Sequence, residues 1–215
     1  MKLRQINEFT NTAYDKTAVK YHVNFKNEIE QKEYDRLLLE RFSSSLNKNS
    51  LVCDAGCGPS VQAGKYLLGK GHRIIGIDIS KRCIDIASSY MPEIDFKVMD
   101  MIKTDFKNDT FDGIISFYSI IHTPKKYLNK MFAEFNRILK PQGKLLVVVK
   151  KGIGEGIIDD DWYEGNKIYF TNFLEYEIIN LITNNNFKFD FLDTRRPYDF
   201  EFKVERIYAI GIKIS

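Results

Sequence analysis

A doubly wound α/β fold with a mostly parallel sheet is predicted by three features of this sequence. Short runs that are apolar throughout recur from Leu51 onward, helix-length stretches separate them, and glycines or acidic residues stand where the runs end. Runs without polar alternation belong to strands buried on both faces, and intervening helices supply the cover.

The elements follow in order. The first 50 residues read as helical, a cap over residues 1–48, with Tyr34, Leu37, Leu38 and Phe42 spaced i, i+3, i+4 and i+8 along one stripe. Ser43-Ser44-Ser45 and Asn47-Lys48-Asn49-Ser50 end that pattern. Strands are expected at Leu51–Ala55, Arg73–Ile77, Asp95–Met99, Phe111–Phe117 and Lys144–Val149. Helices are expected near 60–70, 81–90, 125–139 and 172–184, with a short one at 103–108. Pro141-Gln142-Gly143 reads as a turn ahead of the fifth strand. Lys150–Lys167 carries glycines at 152, 154, 156 and 165, an Asp159-Asp160-Asp161 run, then Trp162 and Tyr163. It reads as a mobile loop or lid over residues 150–170, since long loops in compact domains are functional or merely solvated. Phe187–Leu192 and Val204–Ile214 have no helix between them, which predicts an antiparallel last strand on the sheet. Residues 1–215 are expected to form one domain.

Bulk properties narrow the function. Lys and Arg number 32 against 29 Asp and Glu, a net charge of +3 that gives no support to strong non-specific nucleic-acid binding. No run of about 18 apolar residues occurs, so no membrane partner is expected. Met1–Phe9 is polar, without the apolar core of a secretory signal, and Cys53, Cys57 and Cys83 are an odd set. A cytoplasmic protein with reduced thiols is expected, as a monomer or homodimer. Cys53 and Cys57 have no second Cys/His pair to complete a zinc site, so no metal is expected.

The chemistry concentrates at the ends of the first three strands. Leu51-Val52-Cys53-Asp54-Ala55-Gly56-Cys57-Gly58-Pro59-Ser60 joins a buried strand to a helix, and Gly56 and Gly58 permit a sharp turn and close approach to a ligand. At the carboxyl end of a doubly wound sheet this is where nucleotide-like ligands dock. Asp54, at the end of an apolar strand, is reasonable only with hydrogen-bond donors or a cationic ligand beside it. Ile74-Ile75-Gly76-Ile77-Asp78 ends the second strand on an acid suited to the two hydroxyls of a ribose. The same geometry serves NAD, but G-x-G-x-x-G would place a third glycine where Val61 stands, which weakens a pyrophosphate ligand. Phe96-Lys97-Val98-Met99-Asp100-Met101 supplies an acid for an adenine amine and an apolar wall for its ring.

This series resembles the class I S-adenosylmethionine-dependent methyltransferase superfamily, in particular its small-molecule and RNA methyltransferases. The matching stretches are CDAGCG at 53–58, GID at 76–78, VMD at 98–100, FDGIISFYSIIH at 111–122 and LKPQGKLLVVV at 139–149. The resemblance implies S-adenosylmethionine as cofactor, its methionine part cradled by Asp54, Gly56 and Gly58. It also implies a ribose on Asp78 and Ile79, an adenine beside Asp100 and Met101, and a methyl end near Ser116, Phe117 and Tyr118. Pro59-Ser60 departs from the family, where a further glycine is common.

His122, just beyond the fourth strand, is the candidate general base, and Tyr118 a second catalytic candidate. Among the aromatic residues, Tyr14, Tyr21 and Trp162, with Tyr163, Tyr169 and Phe170, are candidates to line an acceptor pocket or face the sulfonium. Arg195, beside Arg196, is a candidate for an anionic acceptor. His22 and His72 read as surface or connector positions. A small-molecule acceptor is expected. The alternatives are an RNA base as acceptor, an NAD-dependent oxidoreductase, and a non-catalytic binder of an adenosine ligand, which fold alone does not separate.

Overall fold

The computed structural model describes residues 1–159 and 161–214. Asp160, inside the expected loop, and Ser215, the end of the expected domain, lie outside the described residues.

The sheet is built where the apolar runs predict it: β1 (Leu51–Ala55), β2 (Arg73–Asp78), β3 (Asp95–Val98), β4 (Phe111–Phe117) and β5 (Leu139–Lys150). Two short strands follow, β6 (Glu155–Asp159) and β7 (Lys167–Thr171), then β8 (Phe187–Arg195) and β9 (Arg206–Lys213). The main sheet has seven strands in the order β3-β2-β1-β4-β5-β9-β8. β1 to β5 run parallel, and β9 inserts antiparallel between β5 and β8. The order reverses between β1 and β4, which opens a crevice at the carboxyl ends of the strands.

Helices α1 (Leu3–Phe25), α2 (Glu33–Ser44), α3 (Gln62–Gly69), α4 (Lys81–Tyr90), α5 (Lys125–Ile138) and α6 (Glu175–Asn184) complete the fold. α5 shows why they form: Leu128, Met131, Phe132, Phe135 and Ile138 are buried at helical spacing against the sheet. On the opposite face α2 and α3 bury Leu38, Leu39, Phe42 and Leu67 against Val52, Ile115 and Tyr208.

Several expectations change. The buried stripe of α2 is Asp35, Leu38, Leu39 and Phe42, and Leu37 is 62% exposed. The helix starts at Glu33, after a separate 3₁₀ turn at Glu28–Gln31, and Asp35 enters the stripe where Tyr208 donates to it. Residues 103–108 are not helical. There Glu134 accepts from the Thr104 amide and hydroxyl at 2.6 and 2.7 Å, and Arg137 holds the Phe106 carbonyl at 2.8 Å. Side chains of α5 thus take the groups a helix would have used. The expected 150–170 loop contains a hairpin, β6 on β7, with a 3₁₀ turn at Asp161–Tyr163 between them. Pro141–Gly143 falls inside β5 as an irregularity: Leu139 pairs with Phe111, Lys144 pairs with Gly113, and Gln142 takes a φ of 63° in the turn between.

Candidate active site

The strand ends place the sequence-predicted acids around one cavity. Asp54, Gly56, Gly58, Asp78, Ile79, Asp100, Met101, Phe117, Tyr118, His122, Tyr14 and Tyr21 all line it. Gly56 is required for the chain to fit: a Cβ there would lie 2.3 Å from that of Ser119, and its φ is +77°. Ser119 is fixed from behind, donating to the Ala55 carbonyl at 2.6 Å and meeting the Ser116 hydroxyl at 2.6 Å.

The three carboxylates are held differently. Asp54 is buried and accepts from the Gly64 amide in the first turn of α3 at 3.0 Å. Burial drives its carboxyl up to about 7, against that amide, and the nearby Asp78 adds to the rise. Asp78 accepts from the Gly58 and Ser80 amides at 3.0 and 2.9 Å, one on each oxygen, and burial pushes it above the usual carboxylate range. Asp100 accepts from the Ile102 amide at 2.9 Å and from Asn7 Nδ2 at 2.8 Å.

Asn7 belongs to α1, which lies across the strand ends. Along its length Asn7 reaches Asp100, Tyr14 reaches His122 Nε2 at 2.9 Å, Asp15 accepts from Ser80 Oγ at 2.5 Å, and His22 Nδ1 donates to the Pro59 carbonyl at 3.0 Å. Four strand-end loops are thus tied to one helix.

His122 has a defined protonation pattern. Its Nδ1 lies 2.9 Å from the Tyr169 carbonyl, which can only accept, so Nδ1 carries a proton. Burial holds the ring pKa down at about 4, so near neutral pH Nε2 is a lone pair and Tyr14 donates to it. Burial also raises the Tyr14 hydroxyl well above its ordinary value, with Tyr163 and Tyr21 adding to the rise.

A second wall comes from α2 and the turn before it. Lys32 is buried between Glu28 at 3.0 Å and Glu201 at 2.9 Å. Asp35 is fully buried and its Oδ1 accepts from Tyr208 at 2.6 Å and from Arg195 at 3.4 Å. Burial raises Asp35, partly offset by Tyr208, Lys32 and Arg195. Burial would raise Glu201 too, but Arg195 and Lys32 hold it down at about 2. Lys32 and Asp35 line the cavity, together with Ser60 and with Thr10 of α1.

Several predicted residues stand elsewhere, Tyr163, Tyr169 and Phe170 among them. Ser116 lies behind Ser119, fully buried. Trp162 packs on Phe25 at 5.2 Å between ring centroids, with Lys20 Nζ 4.5 Å from its ring. Arg195 is spent within the fold, on Glu201 at 2.8 and 3.0 Å, on Asp35 and on the Tyr208 hydroxyl at 3.0 Å, and does not line the cavity. His72, expected at a surface or connector position, lies in the connector between α3 and β2 and is buried, with Nε2 2.9 Å from Ser43 Oγ. Asn7, Thr10, Lys32, Asp35 and Ser60 are cavity residues that sequence reasoning missed. No group of three or more His, Cys, Asp or Glu residues suited to a metal ion occurs among the described residues, nor does any helix long and apolar enough to cross a membrane.

Comparison with known proteins gives consistent matches. Residues 52–143 match the family model described as a methyltransferase domain. A sterol 24-C-methyltransferase of Saccharomyces cerevisiae is 28% identical over 131 residues, 58% of this chain and 32% of that protein. Phosphoethanolamine N-methyltransferase 2 of Caenorhabditis elegans is 28% identical over 188 residues, 84% of this chain and 41% of that protein. The chain therefore spans about a third to two-fifths of the length of these curated relatives. Among solved structures, a SAM-dependent methyltransferase of Methanosarcina mazei superposes with a TM-score of 0.72 at 20% identity, covering 80% of this chain and 95% of that one.

Proposed function

We propose that the chain, whose residues 52–143 match a methyltransferase-domain model, is a class I S-adenosylmethionine-dependent methyltransferase, an enzyme transferring a methyl group from S-adenosylmethionine to a small-molecule acceptor. The observation that carries this reading is the convergence of Asp54, Asp78 and Asp100, from the ends of three successive strands, on one cavity.

The residues present fit the cofactor. Asp78 keeps unused lone pairs beside its two amide bonds and can accept from a ribose, with Ile79 beside it. Asp100 can exchange the Asn7 amide for an adenine amine against Met101. The Gly56–Gly58 turn leaves room for the methionine part, and the buried hydroxyls of Thr10 and Ser60 lack partners that a polar ligand would supply. When bound, the cofactor supplies a methyl group already activated on a sulfonium.

The chain's own task is then to align an acceptor and exclude water, which supplies several kcal/mol of the barrier. Phe117 and Tyr118 wall the cavity at the end of β4, and α1 covers it with Tyr14 and Tyr21. His122 Nε2 is an unprotonated lone pair reached through the Tyr14 hydroxyl, although burial lowers its basicity. This pair can take a proton from an acceptor O–H or N–H, His122 as the base and Tyr14 as the relay.

A near-balanced charge and a cavity covered by a helix favour a small molecule over an RNA base. The test is transfer of labelled methyl to a panel of amines, phenols, carboxylates, phosphoethanolamine, sterols and bulk tRNA. Methylation of a small molecule is expected. Methylation of tRNA alone would replace the small-molecule assignment, and no transfer despite tight cofactor binding would leave a non-catalytic binder.

A further inference from the structure

Charge on the cavity wall constrains the acceptor. Glu28, Asp35, Asp54, Asp78 and Asp100 line the cavity against one ammonium, that of Lys32. His122 is neutral near neutral pH, since burial holds it at about 4. Burial drives Asp54 up to about 7, and without it four acids still face one lysine. Lys32 is already committed to Glu28 at 3.0 Å and Glu201 at 2.9 Å. Among the described residues no guanidinium lines the cavity. The first turn of α3, where the helix dipole would favour an anion, already faces the Asp54 carboxylate through the Gly64 amide at 3.0 Å. A phosphate or carboxylate on the acceptor would therefore lose its water without gaining a counter-charge.

Resting on the methyltransferase reading above, we propose that the acceptor is a cationic amine carrying neither phosphate nor carboxylate, and that Asp35 receives its ammonium. Six buried side-chain polar atoms lack a hydrogen-bond partner among the described residues, and the one carboxylate oxygen in that set is Asp35 Oδ2. The Asp35 side chain is fully buried, with Oδ1 committed to Tyr208 at 2.6 Å and Arg195 at 3.4 Å. Buried carboxylate oxygens only accept, so an N–H or O–H donor is what Oδ2 lacks. Burial raises Asp35, and a cation beside it would favour the ionised form.

Strand order puts Asp35 on the acceptor's side. Asp54, Asp78 and Asp100 stand at the ends of β1, β2 and β3. Asp35 is held by Tyr208 of β9, itself 3.4 Å from the hydroxyl of Tyr118, just beyond β4. The two groups lie on opposite sides of the point where the order reverses, between β1 and β4. A cofactor stretched along the first three strands leaves Asp35 to the second ligand. The aromatic lining suits the same guest. Tyr14, Tyr21, Phe117 and Tyr118 line the cavity, and Lys32 Nζ, 5.6 Å from the Tyr118 ring centroid, shows that this wall accommodates a cation.

The experiment titrates protein loaded with S-adenosylhomocysteine against two series of probes, followed by calorimetry. One is tyramine, tyrosine and tyrosol; the other is ethanolamine, phosphoethanolamine and ethylene glycol. Each series holds an amine, its analogue with an added anion, and its analogue with a hydroxyl in place of the ammonium. At least one amine is expected to bind saturably, and at least about tenfold more tightly than both of its analogues. Asp35→Asn should weaken that amine about tenfold, while the alcohol and S-adenosylhomocysteine change less than about twofold and report a folded site. If Asp35→Asn does not fold, the wild-type preference decides alone. Tighter or equal binding of an anionic or alcohol analogue, no saturable binding of either amine, or an undiminished affinity in Asp35→Asn would overturn the proposal. A wild type that fails to bind S-adenosylhomocysteine would instead remove the reading on which the proposal rests.

Discussion

Asp78 and Asp35 face one cavity from opposite walls, and they are fastened in different ways. Asp78 ends a strand, and the chain immediately around it holds both oxygens through the amides of Gly58 and Ser80. Asp35 lies on a helix and is held by side chains from the far end of the sequence, Tyr208 and Arg195, with one oxygen left over. The strand-end wall is therefore set by backbone and presents the same carboxylates to any ligand. The helical wall is assembled by tertiary packing.

That contrast can be broken or sharpened by four measurements. The largest effect is expected at His122, which lines the same cavity. Its pKa lies at about 4 against an ordinary 6.5. Between those values the unfolded chain takes up a proton that the folded chain refuses, so stability is lost as pH falls through 6.5 toward 4. The loss is about 3 kcal/mol when complete. Denaturant titrations from pH 7 to 4 should show that slope in the wild type and its reduction in His122→Asn.

Next is Asp78→Ala, which should weaken S-adenosylhomocysteine binding by about 1–3 kcal/mol through lost hydrogen bonds. An unchanged dissociation constant in a folded variant would take the strand-end wall out of the site. Tyr14→Phe should cost about 0.5–1.5 kcal/mol of stability by removing the hydrogen bond to His122, read as a shift in the denaturation midpoint. Its turnover should also fall if Tyr14 relays the proton. Asn7→Ala is expected to be smallest, about 0.5 kcal/mol, because its amide competes with the ligand for Asp100 and its loss in the free protein is partly returned on binding.

The same contrast explains what could be read from the sequence. A buried parallel strand declares itself by a continuous apolar run, and the residue that ends it is fixed locally, so Asp54, Asp78 and Asp100 were legible. The antiparallel β9 followed from the same runs, whereas the strand order did not. Lys32 and Asp35 were not legible because their place at the cavity depends on how α2 docks, with 173 residues between Asp35 and Tyr208. A signal was present: Asp35, Leu38, Leu39 and Phe42 keep the spacing i, i+3, i+4 and i+7, which puts an acid in a buried stripe. The hairpin at 155–171 was hidden because β6 is largely exposed and glycine-bearing, so its composition resembles a loop. Arg195 misled in the opposite direction, since a paired guanidinium and a ligand-binding one look alike until Glu201 is placed beside it.

The proposed function requires that the cavity take an adenosine-bearing sulfur ligand without phosphates. Titration of the wild type with S-adenosylhomocysteine and, separately, with NAD tests this most directly. Saturable binding of the sulfur compound at micromolar strength, with no measurable heat from NAD, is the predicted result. Micromolar binding of NAD with none of the sulfur compound would contradict it.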